Sequence, residues 1–386
     1  MFVTPLFKLM SDKQASDLFF TAGAPIQIKI NGAVMPINNQ PLDMEQCKKI
    51  CYEVMNETQI KEFESIHEMN FAQSAGDLGN FRINIFRQKG TVAMVVRFVK
   101  PDVPAFDSLG LPAILKEVIM EKLGLILVVG STGSGKSTTM ASMIDYRNSN
   151  RTGHILTIED PVEFMFKHKK SIVNQREVRV DTQTYASALV SAMREAPDLI
   201  MIGEIRDQPT LQNCLLFAQT GHLCMSTLHA NNSYNALNRI INFFPREARD
   251  SLLADLAISL RAVISQRLIR TKDGKRIPAV EVLLNTKHIQ DLITKGEIDR
   301  IKDALEQSLS PGSQSFEQAL FHHINSGKVS VDEAMAHSDS PTNLHWLLNN
   351  APKSTSAPAA STQSSTGVTK QPDDISSIKL NFDTLG

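Results

Sequence analysis

Apolar and polar positions alternate along residues 26–30, where Ile26, Ile28 and Ile30 fall on one face of an extended segment and Asn31-Gly32 follows as a hairpin-type turn. The period then changes. Cys47, Ile50, Cys51, Val54 and Met55 recur at helical spacing, which predicts a helix with a single apolar stripe and makes the two cysteines core residues rather than metal ligands. Strand patterns return at Phe71 to Ala75, at Phe81, Ile83 and Ile85, and at Val92 to Phe98, with turns at Gly76 to Asn80 and at Lys89-Gly90. Residues 1–100 therefore read as a small α+β domain containing a strand meander.

Pro101 and Pro104 interrupt the pattern, and residues 101–110 have the composition of a linker. Beyond it Leu111, Ile114, Leu115, Val118 and Ile119 predict a helix ended by Gly124, and Leu125 to Val129 form a continuous apolar strand buried on both faces. Further apolar strands at Ile155 to Ile158, Leu199 to Ile202 and Leu223 to Thr227 alternate with helical stretches. That alternation predicts an α/β domain with a mostly parallel sheet over 111–285, followed by a helical region over 286–350. Residues 351–386 form a tail whose Ser, Thr, Ala, Pro and Gln content, dominant up to about Asp374, predicts disorder.

Composition narrows the function classes. Lys and Arg together number 40 against 41 Asp and Glu, so the chain as a whole is not a strongly basic nucleic-acid binder. No apolar run approaches the ~20 residues of a membrane-spanning helix, and no signal-peptide core precedes a cleavage site; a cytoplasmic location is expected. Four cysteines, Cys47, Cys51, Cys214 and Cys224, lack paired CxxC spacing, so neither a disulfide framework nor a zinc site is expected.

The chemistry concentrates after the first buried strand. Gly130-Ser131-Thr132-Gly133-Ser134-Gly135-Lys136-Ser137, followed by Thr138, is a phosphate-binding loop: backbone N–H groups surround the phosphates, Lys136 reaches the terminal ones and Ser137 offers its hydroxyl to Mg²⁺. Two acidic elements accompany it. A strand running into Glu159-Asp160-Pro161-Val162-Glu163 places carboxylates at the sheet edge where open α/β sheets bind ligands. Leu199 to Ile202 then ends at Gly203-Glu204, the way a Walker B acid is presented. His222 and His229 flank the next apolar strand, a placement that suggests contact with phosphate or a relay of its state.

In order and spacing, the segments GSTGSGKST, ILTIEDPVEF, PDLIMIGEIRD and TGHLCMSTLHA resemble the Walker A, Asp box, Walker B and His box of the secretion and pilus ATPase superfamily. Within it the chain resembles the PilT/PilU family of type IV pilus retraction ATPases over residues 1–350, with the linking segment Val173 to Val178 and the run Arg239 to Pro245 as further support. The resemblance implies a RecA-like ATPase core behind a PAS-like amino-terminal domain, working as a homohexamer at the inner-membrane base of the pilus on ATP and Mg²⁺. It implies Lys136 as the phosphate lysine, Ser137 as a magnesium ligand and Glu163 as the water-polarising base. Glu204 falls on the Mg²⁺ side through water, Glu159 near the nucleotide, and His222 and His229 as phosphate or interface sensors. The division of roles between Glu163 and Glu204 stays open. Arg82, Arg87 and Arg97 become candidates to reach the phosphates of a neighbouring subunit.

Two departures refine this resemblance. Principal retraction motors are expected to carry an Ala-Ile-Arg-Asn-Leu-Ile-Arg-Glu helix, whereas this chain reads His288-Ile289-Gln290-Asp291-Leu292-Ile293-Thr294-Lys295. Its apolar positions survive and both arginines are lost. Together with the Ser/Pro-rich extension this favours the accessory PilU type, with a PilT-like ATPase and an inner-membrane platform protein as partners. Competing readings are a principal PilT-type motor, a scaffold subunit docking on a PilT-like ring, and a nucleic-acid motor. The last is disfavoured because the basic run Lys167-His168-Lys169-Lys170 lacks interleaved aromatic residues.

Overall fold

The computed structural model describes residues 2–30, 32–99, 103–307 and 310–350. Asn31 of the expected turn, Pro101 of the expected linker and the tail from Ala351 onward lie outside the described residues. The chain divides near residue 101 into two units, each with its own core.

In the first unit, helices α1 (Thr4–Lys13), α2 (Met44–Glu53) and α3 (Glu57–Ile66) accompany a six-stranded antiparallel sheet. Its strands are β1 (Asp17–Thr21), β2 (Gln27–Ile30), β3 (Ala33–Pro36), β4 (Glu68–Ser74), β5 (Asn80–Gln88) and β6 (Thr91–Val99), in the order β3-β2-β1-β6-β5-β4. The meander is β4-β5-β6, and the alternation of Phe81, Ile83 and Ile85 puts all three in the core. Capping boxes at Asp43 with Gln46 and Asn56 with Gln59 start α2 and α3 by satisfying backbone donors that the first turn leaves open. Cys47, Ile50 and Cys51 are buried along the stripe of α2, and the Cys47 thiol donates to the Val92 carbonyl oxygen at 3.1 Å.

The second unit is built on a seven-stranded sheet. Its elements run α4 (Ile114–Ile119), β7 (Gly124–Val129), α5 (Lys136–Asn150), β8 (Gly153–Glu159), β9 (Ser171–Glu177), α6 (Tyr185–Ala192), β10 (Leu199–Ile202), α7 (Gln208–Gln219), β11 (Leu223–Leu228), α8 (Ser233–Asn242), α9 (Arg249–Ser259), β12 (Leu260–Arg270) and β13 (Arg276–Leu284). Five helices follow: α10 (Lys287–Thr294), α11 (Ile301–Glu306), α12 (Phe316–Asn325), α13 (Val331–Ala336) and α14 (Pro341–Asn350). The sheet order is β13-β12-β7-β11-β10-β8-β9, parallel throughout except for the β12–β13 hairpin. Every residue of β7, β10 and β11 is buried, because helices cover both faces and a central strand then has no polar side to keep.

Three local readings need correction. Gly124 does not end a helix: α4 stops at Ile119, and Gly124, at φ +119, opens β7 where an added Cβ would meet Arg261 and the Ser259 carbonyl oxygen within 3 Å. Segment 173–178 is not a mere link but largely the edge strand β9. The β12–β13 hairpin has no counterpart in the sequence reading, because the apolar positions of α9 run without a break into β12 and mask the change of period.

Candidate active site

All five segments that could carry chemistry leave parallel strands at the same carboxyl edge of the sheet, the side on which open α/β sheets bind ligands. The loop Gly130 to Gly135 follows β7, the turn Asp160 to Glu163 follows β8, Glu204 follows β10 and His229 follows β11. The fifth, β12, contributes Gln266, the residue after its last pairing with β7 at Ser265.

The loop is shaped by close approaches. At Gly130 (φ +153) an added Cβ would lie 2.4 Å from Ser134 Oγ and 2.5 Å from the Gln266 carbonyl oxygen, and at Gly135 (φ +89) it would lie 2.7 Å from Gln266 Nε2. Gln266, itself buried, donates from Nε2 to the Ser134 carbonyl oxygen at 2.8 Å and accepts from Thr139 Oγ1 at 2.6 Å, so one amide joins the loop to the first turn of α5. Lys136 donates to the carbonyl oxygens of Gly130 and Ser131 at 2.8 and 2.9 Å. Burial lowers its pKa, while the carboxylates of Glu204 and Glu163 act in the opposite sense.

A group with several oxygens fits this loop. The amino end of α5 has no side-chain cap, so its first backbone N–H groups need acceptors from elsewhere. Ser134 Oγ is buried with no hydrogen-bond partner. Helix dipole and orphaned donors together favour an anion here.

Facing the loop is a cleft of about 290 Å³ lined by Thr132, Gly133, Lys136, Ser137, Glu159, Asp160, Glu163, Tyr185, Glu204, Arg206 and His229 among others. Glu204 is held from both sides: Arg206 Nε lies 2.7 Å from Oε2 and His229 Nε2 lies 3.2 Å from Oε1. Glu163 stands exposed on the turn after β8. That turn is fixed by the edge strand, since Glu177 accepts from Val162 N at 3.0 Å while Gln175 accepts from Phe166 N and donates to the Phe164 carbonyl oxygen. Glu159 lies deeper. It accepts from Thr157 Oγ1 at 2.7 Å and Gln175 Nε2 at 3.3 Å, and burial, outweighing both hydrogen bonds, pushes its pKa up to about 7.

A second cleft, about 700 Å³, opens along the other flank of the loop and α5, with Gly135, Thr138, Thr139, Leu268, Arg276 and Ile277 among its walls.

Lys136, Ser137, Glu159, Glu163, Glu204 and His229 thus share one cleft, and Ser131, Ser134 and Thr138 belong to the loop and helix that border it. His222 does not join them. It precedes β11 whereas His229 follows it, and six intervening strand residues carry the two rings roughly 20 Å apart. At the opposite edge His222 Nδ1 sits 3.2 Å from Thr220 Oγ1, and its ring packs edge-on against Phe217. The three arginines lie on the first unit's sheet. Arg82 and Arg97 are directly opposed on β5 and β6, Arg97 pairs with Asp17 at 2.9 Å, and Arg87 pairs with Glu64.

Sequence reasoning missed Tyr185, Arg206 and Gln266. Arg206 carries a signal, standing two residues after Glu204. Gln266 carries none, because the chain between it and the loop is over a hundred residues long.

The sequence profile of the type II/IV secretion system protein family matches residues 2–340. The chain belongs to that family. Within it, the chain is 46% identical over 344 residues to the type IV pilus ATPase PilU of Pseudomonas aeruginosa, covering 89% of this chain and 90% of that one. The type IV pilus retraction ATPase PilT of the same organism is 38% identical over 89% of this chain and 100% of that one. The crystal structure of the pilus retraction motor PilT with bound ADP superposes with a TM-score of 0.82 at 39% identity, over 88% of this chain and 99% of the other. The ATPase DotB of Legionella pneumophila, at 24% identity and a TM-score of 0.72, shares the fold. This family member is accordingly an ATPase of the pilus retraction group, and ATP is its nucleotide. Among the described residues no helix is long and apolar enough to cross a membrane.

Proposed function

We propose that the chain is a PilU-like accessory motor, a homohexamer that couples ATP hydrolysis to retraction of type IV pili from the cytoplasmic side of the inner membrane. In this reading it works beside a PilT-like ring and on an inner-membrane platform protein. The observation that carries the reading is the 46% identity to PilU along nearly the whole chain. The exposed face of α10 agrees with it, since Ile289, Leu292 and Ile293 are buried while the positions of both expected arginines hold Gln290 and Lys295-adjacent Thr294 instead.

The nucleotide's phosphates would lie in the loop Gly130 to Ser137 and Thr138, with its base and ribose in the larger cleft beside Leu268 and Ile277. Lys136 leaves its own loop carbonyls to pair with the terminal phosphate oxygens. Glu163, exposed and facing the same cleft, accepts a proton from the attacking water, and Glu204, fixed by Arg206 and His229, holds negative charge on the opposite side. Ser137 and, through water, Glu204 are the residues that would hold Mg²⁺, which would supply neutralisation of the phosphate charge. Arg82, Arg87 or Arg97 of an adjoining subunit would complete the cleft.

Twitching and single-pilus retraction, compared between cells carrying Lys136→Ala and a clean deletion, test this reading. The two strains should show the same defect. Parental retraction in the Lys136→Ala strain, with a defect in the deletion, would make the chain a scaffold rather than a motor.

A further inference from the structure

The turn that carries His229 is gripped at four points by residues of α8, β12, β13 and the loop between α13 and α14. Arg239 of α8 donates from Nη1 to the His229 carbonyl oxygen at 3.0 Å. Arg267 of β12 donates from Nη2 to the Asn231 carbonyl oxygen at 3.1 Å. Asn232, buried, donates from Nδ2 to Asp339 Oδ2 at 3.0 Å, and the backbone N–H of Ser233 donates to Glu281 Oε1 of β13 at 2.8 Å. The middle two grips are one device, because Arg267 Nη2 also pairs with Asp339 Oδ1 at 2.6 Å.

That device is itself prebuilt. The Arg267 guanidinium lies 3.9 Å from the centre of the buried Phe316 ring and donates to the His337 carbonyl oxygen at 2.5 Å. Asp339 is placed by Glu317 of α12, a buried carboxylate whose Oε1 accepts from Ser338 Oγ and from the backbone N–H groups of Asp339 and Ser340, at 2.9 to 3.0 Å. A mostly buried pair whose remaining donors and acceptors are also taken, Asp339 Oδ2 by Asn232 and Arg267 Nη1 by the His337 carbonyl, fixes geometry more than a solvent-exposed pair does.

We propose that Asp339, acting with Arg267, is a positioning residue for hydrolysis: it locks the turn His229 to Asn232 so that the His229 ring stays against Glu204. Asp339 lies between α13 and α14, so the carboxyl-terminal helical region takes part in building the phosphate cleft. Gln266, which holds the loop, is the chain neighbour of Arg267, so one stretch of β12 ties that helical region to both the loop and the His229 turn. The inference rests on the reading of His229 and Glu204 as members of the hydrolytic site.

The test is a double-mutant cycle on the purified full-length protein, with ATP turnover and the KM for ATP as readouts and melting temperature as a control. Asp339→Ala should lower kcat about 10-fold with KM changed less than about twofold, and should lower it no further when His229→Ala is already present. Asn232→Ser, which keeps an oxygen to cap α8 but cannot reach Asp339, should reproduce the effect and serves where Asp339→Ala fails to fold. Multiplying effects in the double variant, or unchanged kcat in both single variants, would overturn the proposal while leaving His229 in the site. Unchanged turnover in His229→Ala alone would remove the reading on which it rests, and the proposal with it.

Discussion

His229 Nε2 lies 3.2 Å from Glu204 Oε1, and the other carboxylate oxygen of Glu204 is held at 2.7 Å by Arg206. A carboxylate with one oxygen hydrogen-bonded to Arg206 and the other beside the His229 ring is better placed to hold a fixed negative charge than to swing toward a water and take its proton. Glu163 differs: it is exposed on a turn whose backbone is tied down by Gln175 and Glu177. The expected outcome is that Glu163→Gln retains nucleotide affinity and loses ~10²-fold or more in turnover, the scale of a lost general base. Single-turnover hydrolysis and nucleotide titration measure the two separately. If Glu204→Gln shows that pattern and Glu163→Gln does not, the roles are exchanged.

Lys136→Ala should abolish measurable phosphate release. Lys136 is the buried cation of the loop, its ammonium kept charged against burial by Glu204 and Glu163, and alanine leaves the terminal phosphate charge without a matching side chain there. Hydrolysis at the parental rate would sink the assignment of this loop as the nucleotide site.

Glu159 makes a pH-dependent contribution to stability with an unusual sign. Its folded pKa, about 7, stands above the ordinary carboxylate value because burial penalises the charged form. A raised folded pKa gives stability that is complete below the unfolded pKa and is lost as pH rises through the folded one. Between pH ~4.5 and ~7 the parent should therefore lose up to about 3 kcal/mol relative to Glu159→Gln. Chemical denaturation of both proteins at pH 5 and pH 8 measures this. A stability difference that is the same at the two pH values would show that Glu159 does not titrate in this range.

How much of this site was legible follows from how local each signal is. Lys136, Ser137, Glu163, Glu204 and His229 are legible because each sits within a few residues of a buried strand's end, and a parallel sheet gathers those ends at one edge. The same logic does not reach His222, which lies at the other end of β11 from this cleft, since a short motif does not say which end of its strand meets the ligand. Gln266, Arg267 and Asp339 stay hidden because they act through pairings between segments far apart in the chain, on a hairpin whose pattern merges with the helix before it. The meander of the first unit was legible for the opposite reason: β4, β5 and β6 pair with their immediate neighbours across short turns.

The last prediction concerns the first unit's arginines. Arg82 and Arg97 face each other across β5 and β6 on the side of the sheet opposite Phe81, Ile83 and Phe98, and Asp17 on β1 pairs with Arg97 Nε. A guanidinium fork brought to the cleft by a neighbouring subunit would neutralise charge on the phosphates in the transition state. If so, each nucleotide cleft is composite, with loop and carboxylates from one subunit and an arginine from the next. Subunits lacking Lys136 but keeping the arginines, mixed with subunits lacking the arginine but keeping the loop, should then recover turnover that neither parent shows. Only mixed neighbours can present both halves of one site. An arginine that serves the fold of its own subunit cannot be rescued in this way. Mixed assemblies, verified as mixed by mass, that stay as inactive as their parents would take Arg82, Arg87 and Arg97 out of the catalytic cleft and leave hydrolysis to the residues of a single chain.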